Sequence, residues 1–151
     1  MYKRIKDETH LITKYKLKAG DKHYFNVFLW ENQAAFDKNT LDNIPKKSLG
    51  CVNMAPSIIE FDKGNEREII RPKLGEIHFI SGKWTTEIVA HELTHALIQR
   101  LRMIEPKAND VIEQNGDSEE IIAYEFGRWF DQIYRKLWED DTGYKHNHLS
   151  R

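Results

Sequence analysis

At 151 residues, with 40% hydrophobic and 31% charged side chains, the chain has the size and composition of one soluble globular domain with a core of its own. Its 23 basic and 24 acidic residues leave a net charge of −1, which argues against nucleic-acid binding through broad phosphate contacts. No run approaches the roughly 18 apolar residues of a membrane span, Met1 to His10 lacks the apolar segment of a secretory signal, and a lone Cys51 excludes an internal disulfide or a cysteine-built zinc ribbon.

Lys14, Lys16 and Lys18 alternate with Thr13, Tyr15 and Leu17, the two-residue period of a half-exposed strand. Gly20-Asp21 predicts a turn and His23 to Trp30 a second strand, giving a hairpin whose lysine face is solvated. Glu31 to Asn39, around Ala34, Ala35 and Phe36, predicts a short helix, and Asn43 to Lys47, with Pro45, a loop. Leu49 to Met54 and Ser57 to Asp62 are short strands divided by Pro56, with Cys51 as a small buried side chain. Gly64-Asn65 reads as a turn, Arg67 to Arg71 as a weak strand and Pro72 to Gly75 as another loop. Glu76 to Ile80 predicts the strand before the central helix. Placed at a sheet edge, its free backbone groups would pair with an extended peptide.

The central helix covers Glu87 to Arg102 and contains His91-Glu92-Leu93-Thr94-His95, an H-E-x-x-H motif. Residues four apart share a helix face, so His91 and His95 can offer imidazole nitrogens to one metal ion. Glu92 stands beside them, where its carboxylate can take a proton from the attacking water. Thr85 and Thr86 are both good N-caps and Glu87 suits the first turn. Val89, Ala90, Leu93, Ala96, Leu97, Leu101 and Ile104 form a broad apolar arc, which Ile88 and Ile98 extend onto the histidine face. A helix apolar nearly all round is expected to be buried, where unpaired polar groups are costly.

Glu105 to Gly116 is a polar connector. Asp117 or Ser118 can cap a second long helix running to about Trp138, with Ile122, Phe126, Trp129, Phe130, Ile133 and Leu137 as its apolar stripe. Residues 139–151, including His146 and His148, are expected to form a polar tail. A catalytic zinc site needs a third protein ligand. Ile98 and Leu101 occupy the positions where an extended H-E-x-x-H-x-x-G-x-x-H motif carries its glycine and third histidine, so the third ligand must come from elsewhere. Glu119 and Glu120 open the second helix. Glu119 lies about 20° from the centre of the apolar stripe and Glu120 about 120° from it. Burial alone favours Glu119, whereas a metal at the margin of the helix pair suits Glu120.

The stretch His91 to Ala96, H-E-L-T-H-A, resembles the active-site helix of thermolysin-type gluzincins, and Glu120 to Gly127, E-I-I-A-Y-E-F-G, is similar to their downstream ligand helix. With Ala123 and Phe126, the pattern E-x-x-A-x-x-F also resembles the compact ImmA/IrrE-type metallopeptidases of bacteria and mobile elements. The resemblance covers roughly Glu76 to Leu137. It implies an α+β zincin-like fold, with a small antiparallel or mixed N-terminal sheet whose edge strand lies beside the H-E-x-x-H helix. It further implies one Zn²⁺ per chain held by His91, His95 and Glu120, with Glu92 as general base. The implied substrate is a protein or peptide, of which a repressor is one instance, in the cytoplasm of a bacterium or a phage-infected cell. Tyr124 stands where thermolysin-type enzymes carry an aspartate, and it cannot place the same charge beside a ligand histidine.

The resulting expectation is a single-domain zinc metallopeptidase acting on neither membrane nor nucleic acid. Tyr124 and His78 are candidates for stabilising the developing oxyanion or supporting the ligands. Two alternatives share the motif: an inactive or structural zinc-binding interaction protein, and a zinc hydrolase of a non-peptide bond.

Overall fold

The computed structural model describes residues 6–20, 22–40, 48–55, 58–69, 71–104 and 116–142, excepting the side chains of 58–62, 67–69, 102–104, 116–121 and 142. A 3-10 turn, Glu8–His10, leads into β1 (Leu11–Lys18) and β2 (Tyr24–Trp30), which pair as an antiparallel hairpin. Next come α1 (Gln33–Asn39), β3 (Gly50–Met54), the hairpin β4 (Ile58–Asp62) and β5 (Asn65–Ile69), and β6 (Lys73–Ile80). Helices α2 (Thr86–Ile104) and α3 (Gly116–Leu137) follow, and a π-helical turn, Trp138–Thr142, extends α3. The β4–β5 turn falls on Lys63-Gly64, one residue before the expected Gly64-Asn65. Both residues have positive φ, 51° and 82°, as a two-residue hairpin turn demands.

The main sheet is mixed, with strand order β1-β2-β6-β3. β2 and β6 are parallel, and β3 runs antiparallel to β6 at the sheet edge. This corrects the expectation for Ile77 to Ile80: β6 is an inner strand, begins within the expected Pro72–Gly75 loop, and is buried from Leu74 to Ile80. The physical reason is long-range pairing: β2 and β3 flank β6 on its two sides, although Glu76 and His78 alternate with Ile77 and Phe79 as in a half-exposed strand.

Strand alternation sorts the core into two parts. Phe25, Val27, Leu29, Ile77 and Phe79 pack with Val89, Leu93, Ala96, Leu97 and Leu101 of α2 and Trp129, Ile133 and Leu137 of α3. The Phe25 and Trp129 rings meet edge-on at 5.8 Å. Phe28, Trp30, Cys51 and Ile80 pack on the opposite face with Ala35 and Phe36 of α1, whose Asn32 cap accepts a hydrogen bond from Ala35 N–H. Among the described residues no helix is long and apolar enough to cross a membrane.

The entry into α2 is clamped from the far end of the chain. Asp141 accepts hydrogen bonds from Ser81 Oγ, Gly82 N–H (2.9 Å) and Trp84 Nε1 (2.6 Å). Residues to 142, expected as part of a tail, are thus built into the fold; His146 and His148 lie outside the described residues. Trp84 also meets Tyr134 and Trp138 edge-on, at 5.7 and 6.3 Å, fixing the start of α2 against the end of α3.

Candidate metal centre

Thr85 caps α2: its Oγ1 accepts from Ile88 N–H, so one of the two expected caps is the one used. The helix is one-sided rather than buried all round. Val89, Leu93, Ala96, Leu97 and Leu101 are buried, but His91, Thr94, His95 and Ile98 face outward, with Ile98 41% exposed. The sheet and α3 cover one broad side of α2, so on the histidine face Ile98 remains at the surface and Ile88 is only partly buried.

On that open face the two imidazoles converge. His91 Nε2 and His95 Nε2 are 3.2 Å apart, with the rings nearly perpendicular at 82°. Nitrogens at this separation can each lie about 2.0–2.1 Å from one zinc ion at an N–Zn–N angle of roughly 100–106°, near the tetrahedral value. The donor set and its spacing therefore fit zinc. Glu92 follows His91 about 100° round the helix, lies against Gly50 of β3 and is 7% exposed. Burial raises its carboxyl pKa above the ordinary value, and the His91 ring works in the opposite direction. A shallow cleft of about 290 Å³ lies beside it, lined by Ser48, Leu49, Gly50, Glu87, Ile88, His91 and Glu92.

The lining at Ser48 to Gly50 was not singled out from sequence. The sheet order puts β3, not β6, at the edge beside α2. Ala55 N–H donates to Leu74 C=O at 2.8 Å. Along an antiparallel ladder such bonds alternate, so the backbone groups of Gly50, Val52 and Met54 turn away from β6 to the outer edge, which no other described strand pairs.

The remaining candidates separate. Tyr124, on α3, is 76% exposed. Glu119 and Glu120 sit in the first turns of α3, and their side chains lie outside the described residues. Among the described residues no cluster of three metal-capable side chains occurs. His78 is fully buried on the α1 face of the sheet, away from α2, stacked on Phe28 at 4.6 Å. Trp30 Nε1, which can only donate, bonds to His78 Nδ1 at 2.9 Å. The ring is therefore neutral, and its Nε2–H donates to Glu76 Oε1 at 3.0 Å. Burial lowers its pKa further than Glu76 raises it. With both nitrogens engaged beneath the sheet, His78 has no part in a site on α2.

Glu76 is itself held by Lys6 at 2.9 Å and Lys73 at 2.8 Å. Burial works to raise its pKa, but the bonds from His78, Lys73 and Lys6 outweigh it and keep the carboxyl well below the usual range. Cys51 is buried too. Burial first, then the charges of Glu92 and Glu76, push its thiol far above the ordinary range, which leaves it unreactive. The chain matches no protein-family model, no curated protein and no solved structure.

Proposed function

We propose that this chain is a zinc-dependent peptidase with a zincin-like arrangement of its site. The observation that carries the reading is the 3.2 Å convergence of His91 and His95 Nε2 on the open face of α2. His91 and His95 would hold the metal, with Glu120 as the third ligand and Glu119 as the alternative. Zinc bound there supplies a Lewis acid that polarises the scissile carbonyl and makes water acidic enough to attack near neutral pH.

The chain's own residues then account for binding and proton transfer. The outward backbone groups of Gly50 and Val52 pair with an extended peptide and lay it along the cleft. Glu92, with its raised pKa, accepts the proton of the attacking water and returns it to the departing amine. The zincin-like arrangement is supported by the mixed sheet, its antiparallel edge strand and the two helices that follow. Elemental analysis of the purified protein tests the reading. One zinc per chain is expected, lost in Glu120→Ala and retained in Glu119→Ala. Loss only in Glu119→Ala moves the third ligand by one residue, and a parent that takes up no zinc removes the peptidase reading.

A further inference from the structure

Gly50 lies directly against the Glu92 side chain. A Cβ at position 50 would stand 3.0 Å from Glu92 Cγ, 3.2 Å from Oε2 and 3.3 Å from Cδ. These separations are shorter than the roughly 3.5–4.0 Å of relaxed contacts. Backbone conformation does not call for glycine here. Positive φ belongs to Gly20, Gly64 and Gly82, and Gly50 is not among them. What the missing side chain provides is room, and the group that takes the room is a carboxylate.

We propose that Gly50 is a positioning residue for Glu92: its bare Cα lets the carboxylate lie against the edge strand, where the outward backbone groups of the same residue meet the substrate. The same residue thereby sets both how deep the base sits and where the peptide pairs. The catalytic half of this inference rests on the peptidase reading; the steric half does not. A glycine kept only for close approach of substrate would behave differently, since alanine would then weaken substrate binding without affecting the free protein.

Two measurements test it. The first is a thermal-unfolding cycle on the metal-free protein, which needs no activity. Gly50→Ala is expected to lower Tm by roughly 2–4 °C in the parent and to leave it unchanged or slightly raised in a Glu92→Ala background, where the new methyl fills vacated space and the unfolded chain loses the freedom of glycine. Equal shifts in the two backgrounds, zero included, overturn the proposal. The second is calorimetric binding of acetohydroxamate, a chelator whose hydroxyl needs a carboxylate acceptor beside the metal, to the zinc-loaded protein. Gly50→Ala is expected to keep one zinc and to bind about tenfold more weakly, as Glu92→Gln does, through loss of a charge-assisted hydrogen bond. Parent-like affinity in Gly50→Ala, with weakened binding in Glu92→Gln, overturns the positioning role and leaves the peptidase reading standing. A parent that holds no zinc removes that reading and the catalytic half with it, while the thermal cycle still decides whether the two side chains compete for the same space.

Discussion

The two faces of the four-stranded sheet carry the same kinds of polar side chain and use them in opposite ways. On the α1 face, Glu76 and His78 are sealed: Trp30 occupies one ring nitrogen, Glu76 the other, and two lysines complete the carboxylate. On the α2 face, His91 and His95 turn their Nε2 atoms toward each other at the surface, and Glu92 lies in a cleft. Histidine beside glutamate is therefore not a functional signature in itself. The difference lies in whether the nitrogens are already satisfied, and a saturated buried ring is structural however reactive its residue type.

The largest expected effect sharpens this contrast at the open site. Glu92→Gln removes the proposed base while keeping shape and volume, so zinc content is expected to hold at the parent level and peptide hydrolysis to fall by about 10²–10⁴-fold. Equal hydrolysis in that variant would eliminate Glu92 as the base.

A matched pair of histidine variants sets one face against the other. His78→Ala leaves the Trp30 N–H without its acceptor and opens a cavity beside Phe28, and is expected to cost about 2–5 kcal/mol in urea unfolding, with zinc uptake unchanged in the folded fraction. His91→Ala should abolish zinc uptake yet change metal-free stability by about 0.5 kcal/mol or less, since its ring is exposed. The comparison fails if the two variants lose the same property.

The smallest effect is a pH dependence that arises on the sealed face. In the unfolded chain His78 takes up a proton as pH falls through 6.5, whereas the buried ring, with its lowered pKa, does not. The unfolded state binds the proton first, so stability is lost as pH falls below about 6.5. Glu76 acts in the same direction at lower pH, losing its contribution below its ordinary 4.5 as pH falls toward the depressed folded value. Urea midpoints measured from pH 8 to 4 in the parent and in His78→Ala should show the first decline only in the parent. A decline of the same size in both assigns it to another group.

Much of this molecule is legible one segment at a time. The lysine-faced first strand, the Asn32-capped short helix, the Thr85-capped motif helix and the aromatic stripe of α3 all follow from periods and caps within each stretch. The convergence of His91 and His95 belongs to the same class, because a separation of four on a helix is enough to bring the rings together. What the residues alone decided, then, was most of the elements and the helix face that the two histidines share.

Neighbour relations were decided only by the tertiary structure. Nothing within Glu76 to Ile80 says that β3 will cover its outer side, because strand order depends on a chain reversal through α1, β3 and the β4–β5 hairpin. For the same reason the sequence left open whether His78 faces the site or the solvent; Trp30, 48 positions away in sequence, takes its Nδ1 inside the core. The meeting of Gly50 with Glu92 joins an edge strand to a helix 42 residues later, and no local period encodes it. Local hydrogen bonding and side-chain spacing set the elements; which ring nitrogens are sealed inside the core, and which strand stands at the sheet edge, was settled by long-range packing.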